Sequence, residues 1–193
     1  MKGTGFSPTH CELWSCCEQM ARQADQVQKG AFYFHMAQML FAFLSYEAYL
    51  NFVGHIVASQ EWSNERSFFT SNLYQGIKGK LKLIEEKLEF QVDRNTEPYQ
   101  TVACLEQFRD FISHGKPDYY PVTAAAVKRS SDFPFCGKLD QWVTPEKAAR
   151  SKSQVLELCR IINQHAKSAG RVKNHRQFGD EPFAVAEQVE WIP

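Results

Sequence analysis

The chain has 193 residues, with 22 basic and 22 acidic side chains and a formal net charge of zero. That length suits one domain with a real core. The charge balance excludes the strong basic excess of a general nucleic-acid binder and leaves only local patches. Fifteen Phe, seven Tyr and four Trp supply enough apolar surface to offset the entropy of ordering, which excludes global disorder.

The opening stretch, MKGTGFSPTH, lacks the apolar core of a signal peptide. The longest uninterrupted apolar run, Met39 to Leu44, is far shorter than a bilayer span. The expectation is a cytoplasmic chain with no membrane segment. Cys11, Cys16, Cys17, Cys104, Cys136 and Cys159 form no Cys-x-x-Cys pair, so reduced thiols are expected. His10 with Cys11 and Cys16 comes nearest to a metal-ligand set, but the spacing fits no known zinc pattern, and no metal or cofactor is expected.

In chain order, Leu13, Cys17, Met20, Ala24 and Val27 recur at steps of four and three, which predicts a first helix with one apolar stripe, ended by Gly30. Only one of Cys16 and Cys17 can face the core. The second segment, Ala31 to Ala58, is apolar in nearly every direction and predicts a central helix enclosed on several sides. Within it Glu47 and Asn51, four residues apart, share a face, as a satisfied polar network or as the wall of a cleft. The third helix carries Ile77, Leu81, Ile84 and Leu88 on its stripe, with Lys78, Lys80, Lys82, Glu85, Glu86 and Lys87 read as a solvated face.

A fourth helix runs from about Glu97 to His114, with Asp93, Asn95 and Thr96 as capping candidates and Gly115 and Pro117 as its stop. From Pro117 to Val143 the helical period is lost. A long loop is predicted there, with short strands around Val122 to Val127 and Lys138 to Val143. The last helix opens with Thr144 as cap and Pro145 at its first position, and buries Val155, Leu158, Cys159, Ile162 and Ala166 before Gly170. The tail from Arg171 to Pro193 reads as an extended arm packing by Phe178, Phe183 and Trp191, or as a partly disordered segment. These elements predict a single mainly α domain over residues 1–193. It is an antiparallel bundle of about five helices with its core at about 12–168, a loop insertion at 117–143 and a tail at 171–193.

The fourth helix carries the candidate chemistry. Val102, Leu105, Phe108 and Ile112 form its buried stripe. Arg109 lies about 70° from the centre of that stripe, and His114, in the last turn, about 140° from Arg109. An Arg at the edge of a core face reaches a cleft, and a helix C-terminus favours a cationic side chain. Lys78, Lys80 and Lys82, and Arg171, Lys173 and Arg176, form two basic patches, though such runs are usually only solvated surface.

Arg109-Asp110-Phe111-Ile112-Ser113-His114-Gly115 resembles the Arg-x4-His signature of the HEPN superfamily (higher eukaryotes and prokaryotes nucleotide-binding domains), in which Asn is commoner than Asp after the Arg. The earlier Leu44-Ser-Tyr-Glu47-Ala-Tyr-Leu-Asn51-Phe resembles the Glu-and-Asn helix of several of its branches. The resemblance covers roughly residues 12 to 116 and extends at most to the helix at 145 to 168. It implies metal-independent RNA cleavage of the toxin or phage-defence kind, in which the ribose 2′-OH attacks the adjacent phosphate. His114 would move protons and Arg109 would hold the phosphate. Asp110 would orient the His or the substrate, and Ser113 and Lys116 would assist at the phosphate. Because 140° separates the Arg from the His, two copies about a two-fold axis are needed to surround one phosphate, as in the family's homodimers. The resemblance thus implies a homodimer, an RNA substrate and, for a toxin, a neutralising partner protein. Two other readings stand beside it. One is a non-catalytic helical module in which Arg109 pairs with a carboxylate such as Glu47. The other is a small-molecule pocket built on Glu47 and Asn51.

Overall fold

The computed structural model describes residues 3–5, 8–70, 73–115, 137–169, 178–184 and 189–191. Its long helices are α1 (Thr9–Gln26), α2 (Ala31–Val57), α5 (Gly76–Leu88), α6 (Tyr99–His114) and α8 (Pro145–Ser168). Three short helices connect them: α3 (Ser59–Ser63), α4 (Glu65–Phe68) and α7 (Lys138–Trp142). Near the two ends of the chain, β1 (Gly3–Gly5) pairs antiparallel with β2 (Val189–Trp191), Thr4 opposite Glu190. The fold is mainly α, a helical bundle, as the periodicity predicts.

The core is organised around α2. Met39, Ala42, Phe43, Tyr46, Tyr49, Leu50 and Val53 are buried on several of its sides, because a helix with no polar face must be enclosed. By length and composition α2 could cross a membrane, with a mean hydropathy of 1.2 over its most apolar window. A count of consecutive apolar residues overlooks this, because Ser45, Glu47 and Asn51 interrupt the run. Here α1, α5, α6 and α8 all pack on it.

Gly30, in the left-handed conformation at φ 85°, turns the chain between α1 and α2. The two run antiparallel, since at the far end His10 stacks on Phe52 at 4.6 Å. Of the predicted α1 stripe, Cys17 and Ala24 are buried while Leu13, Met20 and Val27 are half-buried, and His10, Cys11 and Trp14 complete the buried face. The helix begins at Thr9, and aromatic packing on α2 and on the segment 178–184 selects the face. Cys17 is buried and Cys16 exposed. Thr144 caps α8, its Oγ1 accepting from the Lys147 N–H, and every residue of the predicted α8 stripe is buried. Gln38 donates to the Ala148 carbonyl and the Tyr49 hydroxyl to Asn163 Oδ1, so α2 and α8 run in the same direction. The long connection before α8 makes that possible.

Three further expectations are corrected or fall elsewhere. Lys138 to Val143 is not a strand; residues 138–142 form α7, and its Trp142 packs on Phe108 at 5.8 Å. Lys80 and Glu85 are buried rather than part of a solvated face. The strand expected at 122–127, Gly170 and the basic residues Arg171, Lys173 and Arg176 lie outside the described residues. The tail does pack by aromatics: Phe183 stacks on Trp14 at 4.4 Å and Phe178 meets Phe52 at 5.5 Å.

Two predictions follow from this packing. An Ala Cβ at position 79 would lie 2.0 Å from the Tyr74 carbonyl carbon. Gly79→Ala will therefore destabilise the protein by about 1–3 kcal/mol in urea titrations, against the gain of about 1 kcal/mol usual for Gly→Ala inside a helix. The second concerns His10, whose burial lowers its pKa from 6.5 to about 4. The unfolded chain then binds the extra proton between those values, so stability is complete above pH 6.5 and falls as the pH drops towards 4, by at most about 3 kcal/mol. His10→Leu will flatten that part of the stability–pH curve.

Candidate active site at the end of α6

Helix α6 begins after Pro98, with the Glu97 carboxylate accepting from the Thr101 N–H. The expected caps take other roles: Asp93 accepts from the Asn95 N–H, and the Thr96 carbonyl accepts from the Gln100 N–H. Val102, Leu105 and Phe108 are buried and Ile112 is half-buried, so the predicted stripe is the observed one. Gly115, left-handed at φ 52°, ends the helix by donating to the Phe111 carbonyl.

That register puts Arg109 where the sequence expects it. Its side chain is 31% exposed, with Nη1 3.0 Å from Asp110 Oδ1 and the guanidinium carbon 5.3 Å above the Phe43 ring of α2. Its Nε is enclosed and has no hydrogen-bond partner among the described residues. The carboxylate on Arg109 is thus Asp110, its chain neighbour, and not Glu47. Neighbours on a helix point about 100° apart, so the long Arg side chain must bend to reach Asp110. His114 and Ser113 are exposed at the last turn, and Lys116 lies outside the described residues. Along an unbroken α-helix His114 stands about 7.5 Å beyond Arg109 and about 140° around the axis. One copy does not bring the two side chains onto one face.

Glu47 and Asn51 part company. Glu47 is half-buried, with no hydrogen bond or ion pair to the described residues. Asn51 Oδ1 accepts both from Lys80 Nζ at 2.7 Å and from the Trp62 indole N–H at 3.3 Å. Lys80 also pairs with Glu65, so Asn51 ties α2 to α3, α4 and α5. Asn51 is thus part of a polar network that joins helices. The same network removes Lys80 from the basic patch. Lys78 meets Glu106 at 3.4 Å and Lys82 meets Glu86 at 4.0 Å, which further dilutes it.

Sequence reasoning missed Glu85. This buried carboxylate accepts from the Val92 N–H at 2.7 Å and from Arg94, whose guanidinium carbon lies 4.5 Å over the Tyr99 ring. It thereby fixes the connection that launches α6. The signal available was position alone: Glu85 directly follows the buried Ile84 at the edge of the stripe. His10 and Cys11 are buried in packing, and the described residues contain no group of three His, Cys, Asp or Glu able to hold a metal ion.

No protein-family model, no curated protein and no solved structure matches the chain, so the site is read from its own residues. Because Asn51 joins four elements, Asn51→Leu will lower stability by about 1–3 kcal/mol by leaving the Trp62 indole N–H without its acceptor and Lys80 with Glu65 alone. Thermal or urea unfolding checks this, and a conservative Lys80→Met on the same background should recover part of the loss.

Proposed function

We propose that the protein is a metal-independent endoribonuclease of HEPN type, active as a cytoplasmic homodimer. The observation that carries this reading is the state of Arg109. Its guanidinium stands on an aromatic face at the edge of the core, and the partner described for it is the exposed Asp110 carboxylate. An ion pair of that kind contributes only about 0–1 kcal/mol. An RNA phosphate, which a planar guanidinium grips through two parallel N–H bonds, can displace it at small cost. Asp110 then holds the Arg side chain ready in the free protein. That role replaces the orienting of His114 expected from the sequence.

In the proposed reaction an imidazole takes the proton of the ribose 2′-OH as its oxygen attacks the neighbouring phosphorus. Arg109 stabilises the charge that builds on the phosphorane oxygens, and a protonated imidazole returns a proton to the departing 5′ oxygen. The products are a 2′,3′-cyclic phosphate and a 5′-OH. Two histidines are needed for base and acid, and the 140° between Arg109 and His114 prevents one helix from surrounding a phosphate. Two α6 C-termini meeting at a two-fold axis meet both needs. Ser113, exposed in the same last turn, is a further phosphate contact in this arrangement. A toxin of this kind would be held in check by a neutralising partner protein.

The test is cleavage of single-stranded and transfer RNA in EDTA by the wild type, Arg109→Ala and His114→Ala. The proposal expects cyclic-phosphate ends from the wild type and a loss of at least about 10²-fold in each variant, with folding and dimer content unchanged. A second reading, a non-catalytic dimerisation or protein-interaction module, is favoured by the contacts of Arg109 with Asp110 and Phe43. It is the conclusion if the wild type does not cleave RNA and Arg109→Ala instead disrupts the dimer.

A further inference from the structure

Away from Arg109 and His114, α6 forms one wall of a second feature. A cleft of about 310 Å³ lies between α6, α7 and the first turns of α8. Its floor is apolar, made by Met39 of α2 and Leu105 of α6, both buried, and the half-buried Trp142 of α7 stands at its side. On α6, Leu105 lies about 40° from Arg109, but Gln100 and Cys104, which also line the cleft, lie about 180° and 140° from it. The cleft therefore opens on a different side of the helix from the proposed phosphate site.

Among the described residues, the charged side chains lining it are Lys147, Arg150 and Glu97. Two cations and one carboxylate leave a single net positive charge. Lys147 and Arg150 project from the first two turns of α8, a 24-residue helix whose N-terminus adds positive potential. Their present partners are weak ones. Arg150 pairs with Glu97 at the surface, with side chains 61% and 33% exposed, and Lys147 Nζ donates to the Gln141 carbonyl. Both cations can turn inward at little cost.

We infer that this cleft is a binding site for a small molecule joining a flat aromatic ring to a single anionic group. The ring would cover Met39 and Leu105 and lie against the Trp142 indole, and the anion would meet Arg150 and Lys147. The volume is at the lower end of ordinary ligand pockets, which suits a ligand of one or two fused rings. The inference does not rest on the ribonuclease reading, and either can fail alone.

Cys104 supplies the readout. It is an exposed thiol lining the cleft, while Cys16, also exposed, lies on α1 and serves as an internal control. Alkylation by iodoacetamide is followed at each cysteine by peptide mass spectrometry. The probes are millimolar 2-naphthoate, its neutral analogue 2-naphthalenemethanol, and acetate. The inference expects 2-naphthoate to slow Cys104 severalfold and leave Cys16 unchanged, with the alcohol and acetate weaker. Arg150→Gln, a substitution at an exposed rim position, will weaken the protection by about tenfold, the worth of one charge-assisted contact. Trp142→Ala will weaken it too. Unchanged Cys104 reactivity with 2-naphthoate overturns the site. Equal protection by the alcohol, or protection that survives Arg150→Gln, overturns the anionic part of the ligand.

Discussion

A helix without a polar face has to be surrounded, and that constraint on α2 organises the rest of the molecule. Residues Ala31–Val57 present apolar groups in nearly every direction, so four other long helices and the short α3 pack around them. Three of the neighbours, α8, α5 and the short α3, are then fixed by polar contacts. Gln38 holds the start of α8, Tyr49 holds its far half through Asn163, and Asn51 holds Lys80 of α5 and Trp62 of α3. Apolar burial supplies most of the driving force but is indifferent to small rotations. The buried hydrogen bonds set the register, because an orphaned polar group there costs about 1–3 kcal/mol.

The position of Arg109 follows from this scaffold. Phe108 is fully buried, and Phe43, one turn before Glu47 on α2, is buried beneath the guanidinium of the next residue. Glu85 determines where α6 starts by holding Val92 and Arg94 in the preceding connection. Gly115 determines where it stops. Arg109 and His114 are therefore held by rigid elements at both ends of the helix, a condition for any phosphate site that relies on positioning.

The helices were legible in the sequence wherever one apolar stripe repeated, as in α5, α6 and α8, since burial on one side writes its period into the residues. The α1 stripe was legible only in part: Cys17 and Ala24 are buried, but Leu13, Met20 and Val27 yield to His10 and Trp14. The sequence gives no hint that His10 and Trp14 face a segment more than 160 positions away, where Phe183 stacks on Trp14. Lys80 and Glu85 were misread because a charge run is normally solvated, and their partners Asn51, Glu65 and Arg94 become neighbours only in three dimensions. Lys138 to Trp142 gave no sign of helix, because five residues are too few to show a period, and the packing of Trp142 on Phe108 is a tertiary effect.

Of the candidate site, the edge position of Arg109 and the terminal position of His114 were legible from 3.6-residue geometry alone. The engagement of Asp110 was not, because adjacent residues on a helix point apart and only the curl of a long side chain unites them. Under the proposed ribonuclease reading, this contact accounts for an Asp beside an Arg that would bind phosphate. A free carboxylate there would repel RNA, whereas one paired with the guanidinium would stay neutralised until substrate arrived. On phosphate binding the carboxylate would be released to solvent, where its charge is screened within about 10 Å at ordinary ionic strength. That step would exchange one surface ion pair for a bidentate one, so the residue that looks least suited to such a site in the sequence would leave the chemistry of Arg109 intact.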